Sequence, residues 1–263
     1  MAFQYSAPNV LNLFTDASTY KNVSCSAYSV VQQRVKVFDD FMIFREVTNN
    51  FGELYAIMMA LTYLYRWVYT KRATGYEQEV DSTFYNLFSD SMYALDCLRS
   101  WVPGWVGASQ QFVADGVPPN TLMKRKMKFH KGKYLPDGEK FTPVQNSDVI
   151  LHCVWMILAM KVPIKFMHIK AHTNIENPFK LVHAVNDFSE SNKKVKVNIK
   201  ETLKTSDIIE LLQWNKDIDK KANNGIKQIF ASNTVNELPV PSNWPIYPFP
   251  TPQQMKEYKR YIR

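Results

Sequence analysis

Through the first 47 residues the apolar side chains come in short blocks or alternate with polar ones, which is the spacing of strands. Val10, Leu11, Leu13 and Phe14 form a run that stops at Thr15-Asp16, and this predicts a buried strand delivering an acid at its C-terminal end. Ser24–Phe38 alternates in part, and Phe41–Val47 holds Phe41, Ile43, Phe44 and Val47, so two more strands are expected, paired with the first as a meander. Thr48-Asn-Asn50 is a turn and helix-start signal, and the apolar stretch after it predicts a helix from near Glu53 to about Val68. Residues 70–82 are polar and charged and are expected to form a loop, followed by a strand over Thr83–Phe88 that ends at Ser89-Asp90. A helix over Ser91–Trp101 comes next. Gly104, Gly107, Gly116, Pro118 and Pro119 limit any helix beyond it. Asn146–Met160 reads as an apolar helix, Pro163–Ile169 as a fifth strand ending at Lys170-Ala-His172, and Trp214–Phe230 as the last helix. The stretch 173–213 is mixed, and Pro239–Arg263, rich in proline and aromatics, is expected to be extended. The order predicts an α/β fold with a five-stranded mixed sheet flanked by helices. The domain would span 1–230, with insertions near 70–82, 103–140 and 173–213 and a tail over 231–263.

Composition narrows the function classes. The 263 residues are 46% hydrophobic and 21% charged, which fits a packed core and excludes global disorder. Cys25, Cys97 and Cys153 are odd in number and far apart, so neither a disulfide framework nor a zinc knuckle is indicated, and a reducing, cytoplasmic setting fits. No secretory signal is visible over Met1–Leu13. The longest apolar stretches, Leu54–Tyr65 and Val149–Val162, fall short of the roughly 20 residues a membrane span needs. The net charge of +8 favours polyanions, because Lys and Arg release counterions condensed on phosphates. Much of it is concentrated in Lys124, Arg125, Lys126, Lys128, Lys131 and Lys133.

Asp16 and Asp90 each follow an apolar strand directly, at the edge of the core, where an unpaired charge is costly. Two such acids on neighbouring strands repel each other unless a cation lies between them. Hard divalent ions with oxygen ligands are the natural answer, and four carboxylates can hold two Mg²⁺ or Mn²⁺ ions about 4 Å apart, the spacing used for phosphoryl displacement.

Five segments then stand in order: Phe14-Thr-Asp16-Ala-Ser18, Thr48-Asn-Asn-Phe-Gly-Glu53-Leu-Tyr-Ala56, Leu87-Phe-Ser-Asp90-Ser-Met-Tyr93, Lys170-Ala-His172-Thr, and Asn215-Lys-Asp-Ile-Asp219-Lys-Lys-Ala222. Together they resemble the type 1 ribonuclease H family. The resemblance implies the ribonuclease H-like fold and hydrolysis of the RNA strand of an RNA–DNA hybrid by two Mg²⁺ or Mn²⁺ ions, leaving 5′-phosphate and 3′-hydroxyl ends. It implies that Asp16 bridges both ions, that Glu53 and Asp90 complete one site, and that Asp219 holds the other ion. Asp217 competes for that last role; Asp219 is preferred because it keeps both the Asn215 and the Ala222 spacing. His172 resembles the family's histidine implicated in proton shuttling or product release. Asn22, Asn49 and Asn50 match substrate contacts, and Lys124, Arg125, Lys126 and Lys128 occupy the place of the family's basic protrusion. The chain departs from the pattern at Ala17, which replaces glycine, at Met92, and in the long separation of His172 from Asp219. A DNA-directed nuclease on the same fold and a catalytically silent hybrid- or duplex-binding module are the alternatives. A monomer is expected, with 173–213 or the tail available to a replication partner.

Overall fold

The computed structural model describes residues 3–110, 120–130, 133–193, 199, 203–242 and 245–262. Its centre is a five-stranded sheet in the order β3-β2-β1-β4-β7. β1 (Val10–Tyr20), β2 (Val23–Gln32) and β3 (Val35–Arg45) are an antiparallel meander, while β4 (Phe84–Ser89) and β7 (Ile164–His168) run parallel to β1. Both meander turns are two residues long, Lys21-Asn22 (φ 48° and 61°) and Gln33-Arg34 (φ 50° and 62°). Left-handed backbone at both turn residues matches the twist of the strands it joins. Neither pair contains glycine, so the second turn was invisible in the sequence and Ser24–Phe38 read as one strand. β1 also runs four residues past Asp16, because Ala17 to Tyr20 keep pairing with β2.

Helices cover both faces. On one lie α1 (Asn49–Ala73), α3 (Met92–Asp96), a π-helical turn (Cys97–Trp101), α4 (Val102–Ser109) and α5 (Ser147–Met160), which form a core with Leu11, Leu13, Leu87 and Phe166. On the other lie α6 (Pro178–Lys193) and α7 (Thr205–Ser232), packed on Phe14, Ala27, Phe88 and Met167. Two glycines bring one helix on each face unusually close. A Cβ on Gly52 of α1 would sit 2.0 Å from Ser24 Oγ, and one on Gly225 of α7 would sit 2.6 Å from Cys25 Sγ. Ser24 and Cys25 are consecutive residues of β2, and they point to opposite faces.

Three regions are more helical than their composition suggested. Residues 70–82, expected as a loop, hold the last turn of α1 and α2 (Glu77–Ser82). Arg72 donates to the Met160 carbonyl (2.6 Å), Lys71 lies over the Trp67 and Tyr76 rings, and Val80 is buried, so one apolar residue and two snorkelling cations suffice. Helix α7 begins at Thr205 rather than Trp214, on a buried stripe of Ile208, Leu211, Leu212, Asn215, Ile218, Ala222 and Ile226. The chain after Pro239, expected to be extended, ends in α8 (Pro252–Tyr261), started by a Thr251–Gln254 capping box with Pro252 in its first turn. Tyr258 of α8 is fully buried and donates to the Leu98 carbonyl (2.9 Å).

The β7 edge is closed at both ends. Ile262 bridges to Ile164, and the Asn192 side-chain amide accepts from the His168 N–H (3.0 Å) and donates to the His168 carbonyl (2.9 Å), as a neighbouring strand would. A separate hairpin of β5 (Met123–His130) and β6 (Lys133–Pro143) carries the basic cluster. Among the described residues no helix is long and apolar enough to cross a membrane.

Candidate active site

The acids are delivered by four elements. Asp16 lies within β1, opposite Ala27 of β2, and just beyond the last pairing of β1 with β4 at Thr15↔Ser89. Asp90 follows β4 directly. Glu53 is in the first turns of α1, whose start is fixed by Thr48 Oγ1 accepting from the Phe51 N–H (3.2 Å). Glycine at 52 lets that turn descend onto β2, where Ser26 Oγ donates to the Gly52 carbonyl (2.8 Å), so Glu53 reaches the strand ends.

One carboxylate oxygen from each of Asp16, Glu53 and Asp90 lies within 4.8 Å of the others. Asp16 and Glu53 are 3% and 5% exposed. Two acids at this depth beside a half-buried third cannot all ionise cheaply. Burial, followed by the charges of Asp90 and Asp219, pushes the Asp16 carboxyl up to about 8, against the opposing Ala17 N–H, which donates to Oδ1 (2.7 Å). Burial and the neighbouring Asp16 and Asp90 push Glu53 well above the carboxylate range, with the Asn49 side chain opposing. Asp90 is raised by burial and then by Asp219, and lowered by His172 and by a hydrogen bond from Asn215.

This donor set fits a hard cation. Asp16 Oδ2 and Glu53 Oε2 are buried with no hydrogen-bond partner, though most buried carboxylate oxygens have one. Oxygen-only donors without sulfur or a buried imidazole among them suit Mg²⁺ or Mn²⁺.

Asp219 on α7 faces Asp90 across a cleft of about 390 Å³ that also contains Lys170, His172, Glu176 and Asn215. Asp217 points elsewhere: it is exposed, accepts from Gln213 Nε2 (2.8 Å), and borders a different hollow with Lys36 and Phe41. His172 is exposed, with left-handed backbone (φ 52°), at the mouth of the cleft.

The remaining candidates lie around this centre. Asn22 is in the exposed β1–β2 turn, with its carbonyl accepting from the Val47 N–H (3.0 Å). Asn49 and Asn50 are exposed at the start of α1. Lys124, Arg125, Lys126 and Lys128 are all exposed along β5, with Arg125 over the Phe141 ring and Lys128 paired to Asp137 (3.8 Å). Lys131 of the same cluster lies outside the described residues.

Four neighbours of the acids were not singled out from the sequence. His168 Nε2 donates to the Asp90 carbonyl (3.1 Å) and Glu176 lines the cleft. Asn223 Nδ2 donates to Asp219 Oδ1 (2.7 Å), and Ser18 Oγ donates to Asn223 Oδ1 (2.7 Å). Asn215, Asp219 and Asn223 form an i, i+4, i+8 polar stripe on a helix that is otherwise apolar inward, and that periodicity was readable.

The family model for RNase H matches residues 8–180, a span holding Asp16, Glu53, Asp90 and His172 but not Asp219. No curated protein matches the chain. Among solved structures, LC9-RNase H1, described as a type 1 RNase H with the type 2 active-site motif, is 15% identical with a TM-score of 0.39, over 70% of this chain and 74% of that one. A foamy viral protease-reverse transcriptase in complex with RNA/DNA hybrid is 12% identical with a TM-score of 0.40, over 72% of this chain and 20% of that one. RNase H1 from the halophilic archaeon Halobacterium salinarum is 14% identical with a TM-score of 0.33, over 68% of this chain and 98% of that one.

Proposed function

The chain belongs to the RNase H family, and on that premise we propose that it is an endonuclease that hydrolyses the RNA strand of RNA–DNA hybrids with two divalent cations. The observation that carries this reading is the convergence of three carboxylates, two of them buried with an unpartnered oxygen and the third half-buried, where two parallel strands and a helix start meet.

In this reading Asp16, Glu53, Asp90 and Asp219 would hold the ions, with Asp16 contributing to both sites, Glu53 and Asp90 to one and Asp219 to the other. When bound, such ions supply Lewis acidity to the phosphodiester and lower the pKa of water. Water adds to phosphorus, the bond from phosphorus to the 3′-oxygen breaks, and a 5′-phosphate and a 3′-hydroxyl result. His172, at the cleft mouth, is suited to move a proton at the departing 3′-oxygen. Asn215 donates to Asp90 and so opposes the upward shift that burial and Asp219 impose on it.

Selection of the hybrid follows from groups outside the acids. Asn49 and Asn50, exposed beside Glu53, and Asn22 are polar groups suited to ribose 2′-hydroxyls and base edges in a minor groove. The β5 row of Lys124, Arg125, Lys126 and Lys128 suits the phosphates of the DNA strand.

The test is cleavage of end-labelled RNA–DNA hybrid beside matched RNA–RNA and DNA–DNA duplexes, in Mg²⁺, in Mn²⁺ and in EDTA. Metal-dependent cutting of the hybrid's RNA strand alone is the expected result. Equal cutting of duplex DNA would replace this reading with a DNA-directed nuclease, and binding without cutting would replace it with a silent binding module.

A further inference from the structure

Helix α7 carries Asp219 and β1 carries Asp16, so the spacing between these acids depends on how firmly a helix is registered against a strand. Hydrophobic packing sets the distance between two such elements but leaves a carboxylate free to rotate about its own χ angles. A hydrogen bond to one of its oxygens removes that freedom.

The structure contains such a bond and anchors it. Asn223 lies one turn after Asp219 on the same helix face, and its Nδ2 donates to Asp219 Oδ1 (2.7 Å). An asparagine amide could be turned either way, but the Asp219 carboxylate only accepts, so Nδ2 faces it and Oδ1 is left to accept from Ser18 Oγ (2.7 Å). Ser18 is two residues after Asp16 in β1, so it lies on the same face of the strand as that acid. The Ser18–Asn223–Asp219 chain therefore ties α7 to β1 within one strand repeat of Asp16. It occupies Oδ1 of Asp219 and leaves Oδ2 outside this chain of hydrogen bonds.

We infer that Asn223 and Ser18 are positioning residues, a two-residue relay that presets the Asp219 carboxylate for the second cation. The inference rests on the two-ion reading above. Asn223 acts through Asp219 and Ser18 acts through Asn223. Neither needs to touch substrate.

The experiment is Mn²⁺ binding to the nucleic-acid-free protein by titration calorimetry, with hybrid cleavage measured in parallel as a function of Mn²⁺ concentration. Asn223→Ala and Ser18→Ala are each expected to weaken the second Mn²⁺ equivalent by roughly 10- to 100-fold, the usual range for losing a hydrogen bond that orients a ligand, and to spare the first. The concentration of Mn²⁺ giving half-maximal cleavage should rise in step, while the KM for hybrid at saturating Mn²⁺ stays unchanged. The double variant should be no weaker than Asn223→Ala alone, and Ser18→Thr, which keeps the hydroxyl, should bind Mn²⁺ as the parent does. If parent and Asn223→Ala isotherms superimpose while the parent binds two ions and cleaves, the relay is refuted and the two-ion reading stands. If the parent itself binds no Mn²⁺, both fall together.

Discussion

The cluster of acids predicts an inverted pH dependence for the stability of the metal-free protein. The Asp16 carboxyl is held up to about 8 in the folded chain and returns to 3.8 when unfolded. Between those values the folded state binds more protons than the unfolded one, so stability falls as pH rises and levels off above about 8. Working the linkage through for this one group gives a loss of about 4 kcal/mol between pH 5 and pH 8, at 1.36 kcal/mol per tenfold change in proton affinity. That figure is an upper bound, since any rearrangement that admits water to the cluster relieves it. Asp16→Asn removes this contribution and also the repulsion that raises Glu53. In EDTA, urea unfolding at pH 5, 6, 7 and 8 should show the parent losing stability with pH and the variant losing less, so that at pH 8 the variant is the more stable by about 2–4 kcal/mol. Subtracting the two curves isolates the cluster from other titrating groups. Saturating Mn²⁺ should reverse the order, because a ligand that binds only the folded parent stabilises it. Parallel curves with the same slope would refute the account of the cluster as a repulsive, desolvated site.

Other consequences can be checked separately. Asp16→Asn, Glu53→Gln and Asp90→Asn should each lower hybrid cleavage by on the order of a thousandfold, about 4 kcal/mol of barrier, with far-UV circular dichroism unchanged. Gly52→Ala should cost about 1–3 kcal/mol of stability through overpacking against Ser24 Oγ, with Gly52→Ala/Ser24→Ala recovering part of it in the same urea assay. Converting Lys124, Lys126 and Lys128 to Ala should raise KM for hybrid and flatten its dependence on salt by about one unit of log–log slope for each phosphate no longer neutralised, with kcat at saturation preserved. Tyr258→Ala should destabilise the domain by about 3–5 kcal/mol in urea, because it removes a large buried ring together with its bond to Leu98.

The parts of this fold that were legible in the sequence are those written as short apolar runs with an acid at the end. Val10–Phe14 and Thr83–Phe88 announced both the central strands and the acids they deliver, and Thr48-Asn-Asn announced the cap that aims Glu53. The preference for Asp219 over Asp217 rested on spacing alone, and in the structure the two residues border different hollows. Where the reading failed, side-chain stems or turns without glycine carried the structure. Gln33-Arg34 turns the chain through left-handed backbone with no turn signal in its composition. Residues 70–82 looked solvated because their burial is done by Val80 and the aliphatic parts of Lys71 and Arg72. In the C-terminal stretch, prolines at 245, 248, 250 and 252 masked a capping box and the Met255 and Tyr258 that α8 buries. The Ser18–Asn223 contact joins residues 205 positions apart, and only one of its ends shows as a periodic stripe.

The two glycine contacts on β2 have an implication for how this lineage can vary. Ser24 fixes the depth of the helix bearing Glu53, and Cys25 fixes the depth of the helix bearing Asp219, from opposite sides of one strand. A bulkier residue at 24 or 25 would push one helix outward and pull its acid away from the other three, and a side chain at 52 or 225 would do the same. Positions 24 with 52, and 25 with 225, should therefore change as pairs when many relatives are aligned, with small side chains exchanged across each contact. The two pairs should drift independently of each other, although they begin at adjacent residues.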